Sequence, residues 1–173
     1  MTEMKPIWQA QWLPAEPAAL ARLPLALQSW LLETGSLTAR LKQQGQFALQ
    51  VLQEQQEVLP AFLQQRWQSS VGTRREVLLS LNGRPAIYAQ SFWSAAAGNS
   101  LIPLAQLGAM PLGEFMFAQP DLQRSALEVA LLDADFGLSA HATVLPCWGR
   151  RSYFSLLGHE LLVQEVFLAG EFA

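Results

Sequence analysis

Asn82-Gly83 separates two apolar runs, 74-RREVLLSL-81 and 84-RPAIYAQSFW-93, and no other feature restricts the folding of this chain as much. A type I′ turn needs φ > 0 at both central residues, which Asn and Gly accept, so the segment reads as an antiparallel hairpin. Pro85, just after the turn, suits a strand start better than a strand middle. Within the first run Arg75 falls in phase with Val77, Leu79 and Leu81. In 160-ELLVQEVFL-168, Glu165 falls in phase with Leu161, Val163 and Phe167 in the same way. Successive strand side chains alternate between faces, so both charges point with the apolar residues. A buried ion is costly unless it is paired or used. Either these charges sit at strand ends or in a structural ion pair, or they belong to a closed polar site. In the second case Arg75 would take a carboxylate and Glu165 a hydroxyl or a proton.

The remaining segments surround that hairpin with mixed elements. Residues 1–23 carry Pro14 and Pro17 and read as an irregular arm. A helix is expected from about Pro24 to Glu33, and a second over 37-LTARLKQQG-45, capped by Ser36 and stopped by Gly45. The run 46-QFALQVLQEQ-55 alternates as a half-exposed strand, and a short helix is expected around Ala61 to Trp67. The stretch 98-GNSLIPLAQLGAMPLGEFMFAQPD-121 reads as two short helices separated by Gly108 and Pro111. Both are apolar nearly all round, so they should be buried or cover something. Strands follow at about Gln123–Leu132, Arg150–Leu157 and Glu160–Leu168, with an extra one near His141–Leu145 and a turn at Gly158-His159. The expected class is α+β, one domain over residues 1–173, with an antiparallel sheet of about six strands.

Composition excludes several functions. A chain of 173 residues with 51% hydrophobic and 14% charged residues supports a single substantial core and argues against disorder. Its net charge of -3 argues against generic nucleic-acid binding, which needs a basic face for phosphates. The single cysteine, Cys147, permits no internal disulfide and no multi-cysteine zinc site. Without a basic-then-apolar leader or an apolar run of about 18 residues, a soluble cytoplasmic protein is expected, with no stable membrane insertion.

Other candidates for chemistry are weaker. Arg150 and Arg151 are adjacent, so at most one shares the face of a core-directed site, and a surface or structural role suits them better. His141 and His159 lack a nearby partner pattern for base catalysis. Asp133, Asp135 and Glu128 lack calcium-loop spacing. No phosphate-binding glycine loop or nucleophile elbow is present, and neither metal nor cofactor is expected.

Four segments in order resemble the chorismate pyruvate-lyase family: 36-SLTARLKQQG-45, 75-REVLLSLNGRP-85, 107-LGAMPLGEFMF-117, and 148-WGRRS-152 with 161-LLVQEVFL-168. The resemblance implies an antiparallel sheet with helical flaps, here 36–45 and 100–117, closing over an internal ligand. It implies conversion of chorismate to 4-hydroxybenzoate and pyruvate for ubiquinone biosynthesis, without cofactor; a monomer is expected. Arg75 would grip the ring carboxylate, backbone amides of Leu37 and Leu112 would add hydrogen bonds, and Glu165 would face the far side. The chain departs from the family pattern at Leu37, which replaces a methionine, and at Gln90, which replaces an arginine. Gln90 and Arg151 are secondary site candidates, and Gln90 is expected to weaken capture of the second carboxylate.

Two other readings compete. Ligand-sensing domains of bacterial regulators are similar to this lyase fold, and the chain could be a non-catalytic module that binds small aromatic acids. The arm before the first helix is too short for the DNA-binding domain such regulators carry. Alternatively, the Gln-rich stretch 43–68 could dock a partner protein.

Overall fold

The structure is a computed structural model that describes residues 3–141, 144–168 and 172. Its elements are β1 (Leu13–Pro14), α1 (Pro17–Leu20), α2 (Leu25–Leu31), α3 (Leu37–Gln44), β2 (Phe47–Val58), α4 (Ala61–Trp67) and β3 (Val71–Leu81). They continue as β4 (Arg84–Ser94), α5 (Ala95–Ser100), α6 (Leu112–Phe117), β5 (Gln123–Arg124), β6 (Glu128–Leu132), β7 (Cys147–Leu156) and β8 (His159–Phe167). Among the described residues eight strands form one antiparallel sheet in the order β1-β6-β7-β8-β4-β3-β2, with β5 also on β7.

The local signals act where their chemistry requires. Asn82 and Gly83 both take positive φ, 53° and 78°, and join β3 to β4. The Ser36 hydroxyl accepts from the Ala39 amide at 3.2 Å and starts α3. Gly45 follows α3, and a Cβ there would lie 2.4 Å from the Asn82 side-chain oxygen, so a larger residue would have to displace that side chain. The Asn82 side chain uses that proximity to accept from the Gln46 amide at 2.9 Å.

Several boundaries differ from expectation. The arm is not wholly irregular: β1 pairs with β6 through Leu13↔Val129 and Pro14↔Glu128. The strand expected over Gln123–Leu132 is broken into β5 and β6, which pair with separate parts of β7. The helix expected before Gly108 is α5 plus a 3-10 turn at Ile102–Gln106, because Pro103 interrupts regular helical bonding. The extra strand near His141–Leu145 is absent among the described residues. A 3-10 turn at Leu138–His141 occupies its start, and residues 142 and 143 lie outside the described residues. The last turn is Leu157-Gly158, both at positive φ, and His159 already pairs with Leu156.

Both faces of the sheet are covered. On one, α2 and α3 pack Leu27, Leu31, Leu37 and Leu41 over Val77, Leu79, Ile87 and Phe167. Beside them α5 and α6 pack Ala97, Leu112, Phe115 and Met116 over Trp93, Phe154, Leu161 and Val163. On the other face Ile7, Tyr88, Leu132, Leu138, Cys147 and Val166 form a second layer. Each fully buried aliphatic side chain contributes about 1.5–3 kcal/mol, so the two helical covers are held chiefly by such contacts. Because β8 docks on β4, the strand bearing Glu165 lies across the sheet from the strand bearing Arg75.

Candidate functional site

A cavity lies where the two helical covers meet above the sheet, and Arg75 and Glu165 both line it. The register explains why. Arg75 on β3 pairs with Ser91 on β4, which pairs with Val163 on β8. One step along, Val77 pairs with Ala89, Ala89 with Glu165, and Glu165 with Arg150 on β7. Arg75 and Glu165 are thus two strands and two residues apart, a Cα separation of roughly 12 Å at standard sheet spacings. The central strand contributes only Ala89 and Ser91 to this floor, which leaves space between the two charged heads. Leu49, Val77, Leu79, Val163, Met116 and Phe154 make the rest of the lining largely apolar. The cavity measures about 60 Å³, so a larger guest requires its lining to shift.

The two charges do not pair with each other. The Arg75 guanidinium, 2% exposed, donates to the carbonyl oxygens of Gly108 and Met110, each at 3.0 Å, and to Glu54 Oε1 at 3.4 Å. It therefore clamps the loop that leads into α6. Gly108 has φ of +54°, a left-handed conformation that favours glycine, and this aims its carbonyl at Arg75. Glu165 Oε1 accepts from Arg150 Nε at 3.0 Å. Arg150, also 2% exposed, donates through its Nη1 to the Leu31 and Glu33 carbonyls at 3.0 and 2.8 Å. One arginine thus joins the site carboxylate to the segment that enters α3.

Leu37 and Leu112 line the cavity as the first residues of α3 and α6. Backbone N–H groups in the first turn of a helix have no intrahelical acceptor. The two covers present those turns to the same space. They are joined across their outer surface by Lys42 of α3 and Glu114 of α6, which form an exposed ion pair. Arg75, Glu165 and the first turns of the two covers thus border one largely apolar space.

Two expected site residues lie elsewhere. Gln90 belongs to the opposite face of β4, where its amide donates to Glu76 at 2.9 Å and its oxygen accepts from Gln164 at 3.2 Å. It cannot reach a ligand in this cavity, because adjacent strand residues point to opposite faces. Arg151 likewise faces away and pairs with Glu128 at 3.0 Å, its guanidinium 4.9 Å from the Trp12 ring. Arg150, expected at the surface or in a structural ion pair, makes that pair with Glu165 and, unlike Arg151, also lines the cavity beside Arg75. Its alternation with Ser152 and Phe154 was visible, but only the pairing of β7 with β8 decides which face that series occupies.

Comparison with other proteins bears on this geometry. The sequence profile of the chorismate lyase family matches residues 7–172. A protein of Pseudoalteromonas translucida named probable chorismate pyruvate-lyase is 39% identical over 87% of this chain and 88% of its own. One of the same name from Halorhodospira halophila is 37% identical over 92% of each chain. The effector domain of PhnF from Mycobacterium smegmatis superposes with a TM-score of 0.59 at 12% identity, over 80% of this chain and 91% of that one. The C-terminal domain of the histidine utilization repressor from Pseudomonas syringae reaches 0.56, also at 12% identity, over 74% of this chain and 94% of that one. Those two likenesses concern the fold alone, whereas the profile and the sequence relatives span nearly the whole chain. This chain belongs to the chorismate lyase family.

Proposed function

We propose that this protein eliminates pyruvate from chorismate to leave 4-hydroxybenzoate, supplying ubiquinone biosynthesis in the cytoplasm as a monomer. The observation that carries the reading is the placement of Arg75 and Glu165 at two sides of one enclosed, mostly apolar cavity. Arg75 would hold the ring carboxylate with the amides of Leu37 and Leu112 nearby, and Glu165 would receive the hydroxyl at C4. In the reaction the C3–O bond breaks and C4 loses its proton. The departing enolpyruvate gains a proton at its methylene carbon, so no water is consumed and the ring becomes aromatic.

Aromatisation drives the reaction, and the protein's part is to hold a reactive conformer away from water. An arginine in a dry cavity stabilises an anion far more than it would in solvent. Glu165 Oε1 is already engaged by Arg150, which favours a positioning role for the carboxylate over that of a base. On this reading Glu165→Gln keeps appreciable turnover, whereas Arg75→Ala loses most of it. Near-total loss in Glu165→Gln with product binding retained would assign the base role instead.

The test is to mix the purified protein with chorismate, without added metal, and to quantify both products against a protein-free control. Equal, protein-dependent yields are expected. The fold's likeness to effector domains of regulators favours one second reading, a module that binds an aromatic acid without reaction. Binding of 4-hydroxybenzoate without turnover would select it.

A further inference from the structure

The charges around the cavity do not balance. Arg75 has Glu54 as a partner, and Arg150 has Glu165. A third arginine, Arg124 of β5, stands beside them. Its Nε donates to Ser152 Oγ at 2.8 Å and its Nη1 to the Glu33 carbonyl at 3.2 Å. That carbonyl also takes the Nη1 of Arg150 at 2.8 Å, so two guanidinium groups converge on one oxygen. Its Nη2 is buried and has no hydrogen-bond partner. Burial, and then the nearby Arg150, lower the pKa of Arg124 to about 10, although the charges of Glu165 and Glu33 oppose this. Two like charges this close, one with a bare buried donor, form a costly arrangement that an incoming anion would relieve.

The donor lies behind one ring. The Arg124 guanidinium carbon is 4.9 Å from the centroid of Phe154, whose ring lines the cavity. Phe117 of α6, which also lines the cavity, meets Phe154 edge-on with centroids 5.8 Å apart. Arg124 itself does not line the cavity, so its reach to a guest there would require Phe117 and Phe154 to shift.

We propose that Arg124 receives the second carboxylate, the one on the enolpyruvyl side chain of a two-carboxylate substrate, while Arg75 holds the carboxylate on the ring. The assignment rests on the chorismate reading of the same cavity. It supplies the cationic partner that Gln90, on the opposite face, cannot provide. It also separates substrate from product, because 4-hydroxybenzoate keeps the ring carboxylate and lacks the other.

The test compares Arg124→Met and Arg124→Lys with the unaltered full-length protein, after circular dichroism has established that each is folded. Two probes are titrated: 4-hydroxybenzoate, and 3-(1-carboxyvinyloxy)benzoate, an aromatic ether with both carboxylates that cannot undergo the elimination. Arg124→Met is expected to weaken the two-carboxylate probe by about ten- to a hundredfold, the loss of one charge-assisted hydrogen bond, and to raise KM for chorismate in parallel. Affinity for 4-hydroxybenzoate should change by less than about threefold, within the scatter of ordinary context effects. Arg124→Lys should recover part of the loss, since it restores charge without the planar fork. Equal weakening of both probes would make Arg124 a structural residue and overturn the assignment, as would no change in either. If the unaltered protein does not turn over chorismate yet shows the Arg124-dependent preference, the lyase reading fails and this assignment stands.

Discussion

Replacing Arg150 by Met tests whether the charged centre of this protein is enclosed. Methionine approximates the length of the arginine stem but carries neither charge nor donors. The substitution strands Glu165, whose Oε1 accepts from Arg150 Nε at 3.0 Å, and removes the donor from the Leu31 carbonyl at 3.0 Å. Only 3% of the Arg150 side chain and 13% of the Glu165 side chain are exposed, so solvent cannot take over either role. Removing one partner of a buried pair costs about 3–5 kcal/mol. Against a total stability of about 5–15 kcal/mol that is a large fraction. For a chain of this size it corresponds to a fall in Tm of roughly 6–20 °C. Urea unfolding at neutral pH, followed by circular dichroism, would measure it. Adding Glu165→Gln to Arg150→Met should recover part of the loss, because it removes the stranded charge, and the two changes should be strongly non-additive. A cost below about 1 kcal/mol for Arg150→Met would be the behaviour of a solvated surface pair. That result would refute the enclosed centre and, with it, the argument that Arg75 acts in a dry cavity.

Three further outcomes follow from particular contacts. Lys42 and Glu114 join the two covers, but their side chains are 49% and 38% exposed. Such a pair is worth about 0.2–1 kcal/mol, so Lys42→Ala should speed release of bound 4-hydroxybenzoate by no more than about fivefold in stopped-flow fluorescence, and less at high salt. Ala89 floors the cavity between the charged heads, so Ala89→Leu should abolish ligand binding in a titration while far-UV circular dichroism stays unchanged. Glu160 provides the pH prediction. Burial alone would raise its pKa, but hydrogen bonds from Arg66 and Trp67 outweigh this and leave it lowered from the ordinary 4.5. A lowered folded pKa means that the contribution is complete above the unfolded value and is lost as pH falls through the folded one. The Tm difference between the unaltered protein and Glu160→Gln should therefore be constant above about pH 5 and shrink below about pH 4.5. A difference independent of pH down to acid unfolding would show that the carboxylate gains nothing from Arg66.

Local chemistry made much of this protein legible without coordinates. The Asn82-Gly83 turn, the Ser36 cap, the helix at Ala61–Trp67 and the phase of Arg75 with Val77, Leu79 and Leu81 all depend on residues within one or two turns of each other. Backbone sterics and side-chain periodicity act over that range, so the sequence alone is enough to read them. The four ordered segments pointed to the family for a similar reason: they hold the hairpin and covers as well as Arg75 and Glu165. Tertiary pairing decided the rest. Whether Arg150 or Arg151 enters the cavity turns on the register of β7 against β8, since one step of slip exchanges the two faces. Which side of β4 floors the cavity turns on its register against β3 and β8: Ala89 and Ser91 do, so Gln90 between them faces away. The convergence of Arg124 and Arg150 on the Glu33 carbonyl joins residues about ninety and more positions apart, 91 and 117 in sequence separation. No local rule encodes such a meeting. It exists because β8 returns to β4, placing β7 and its partners beneath the segment that leads into α3.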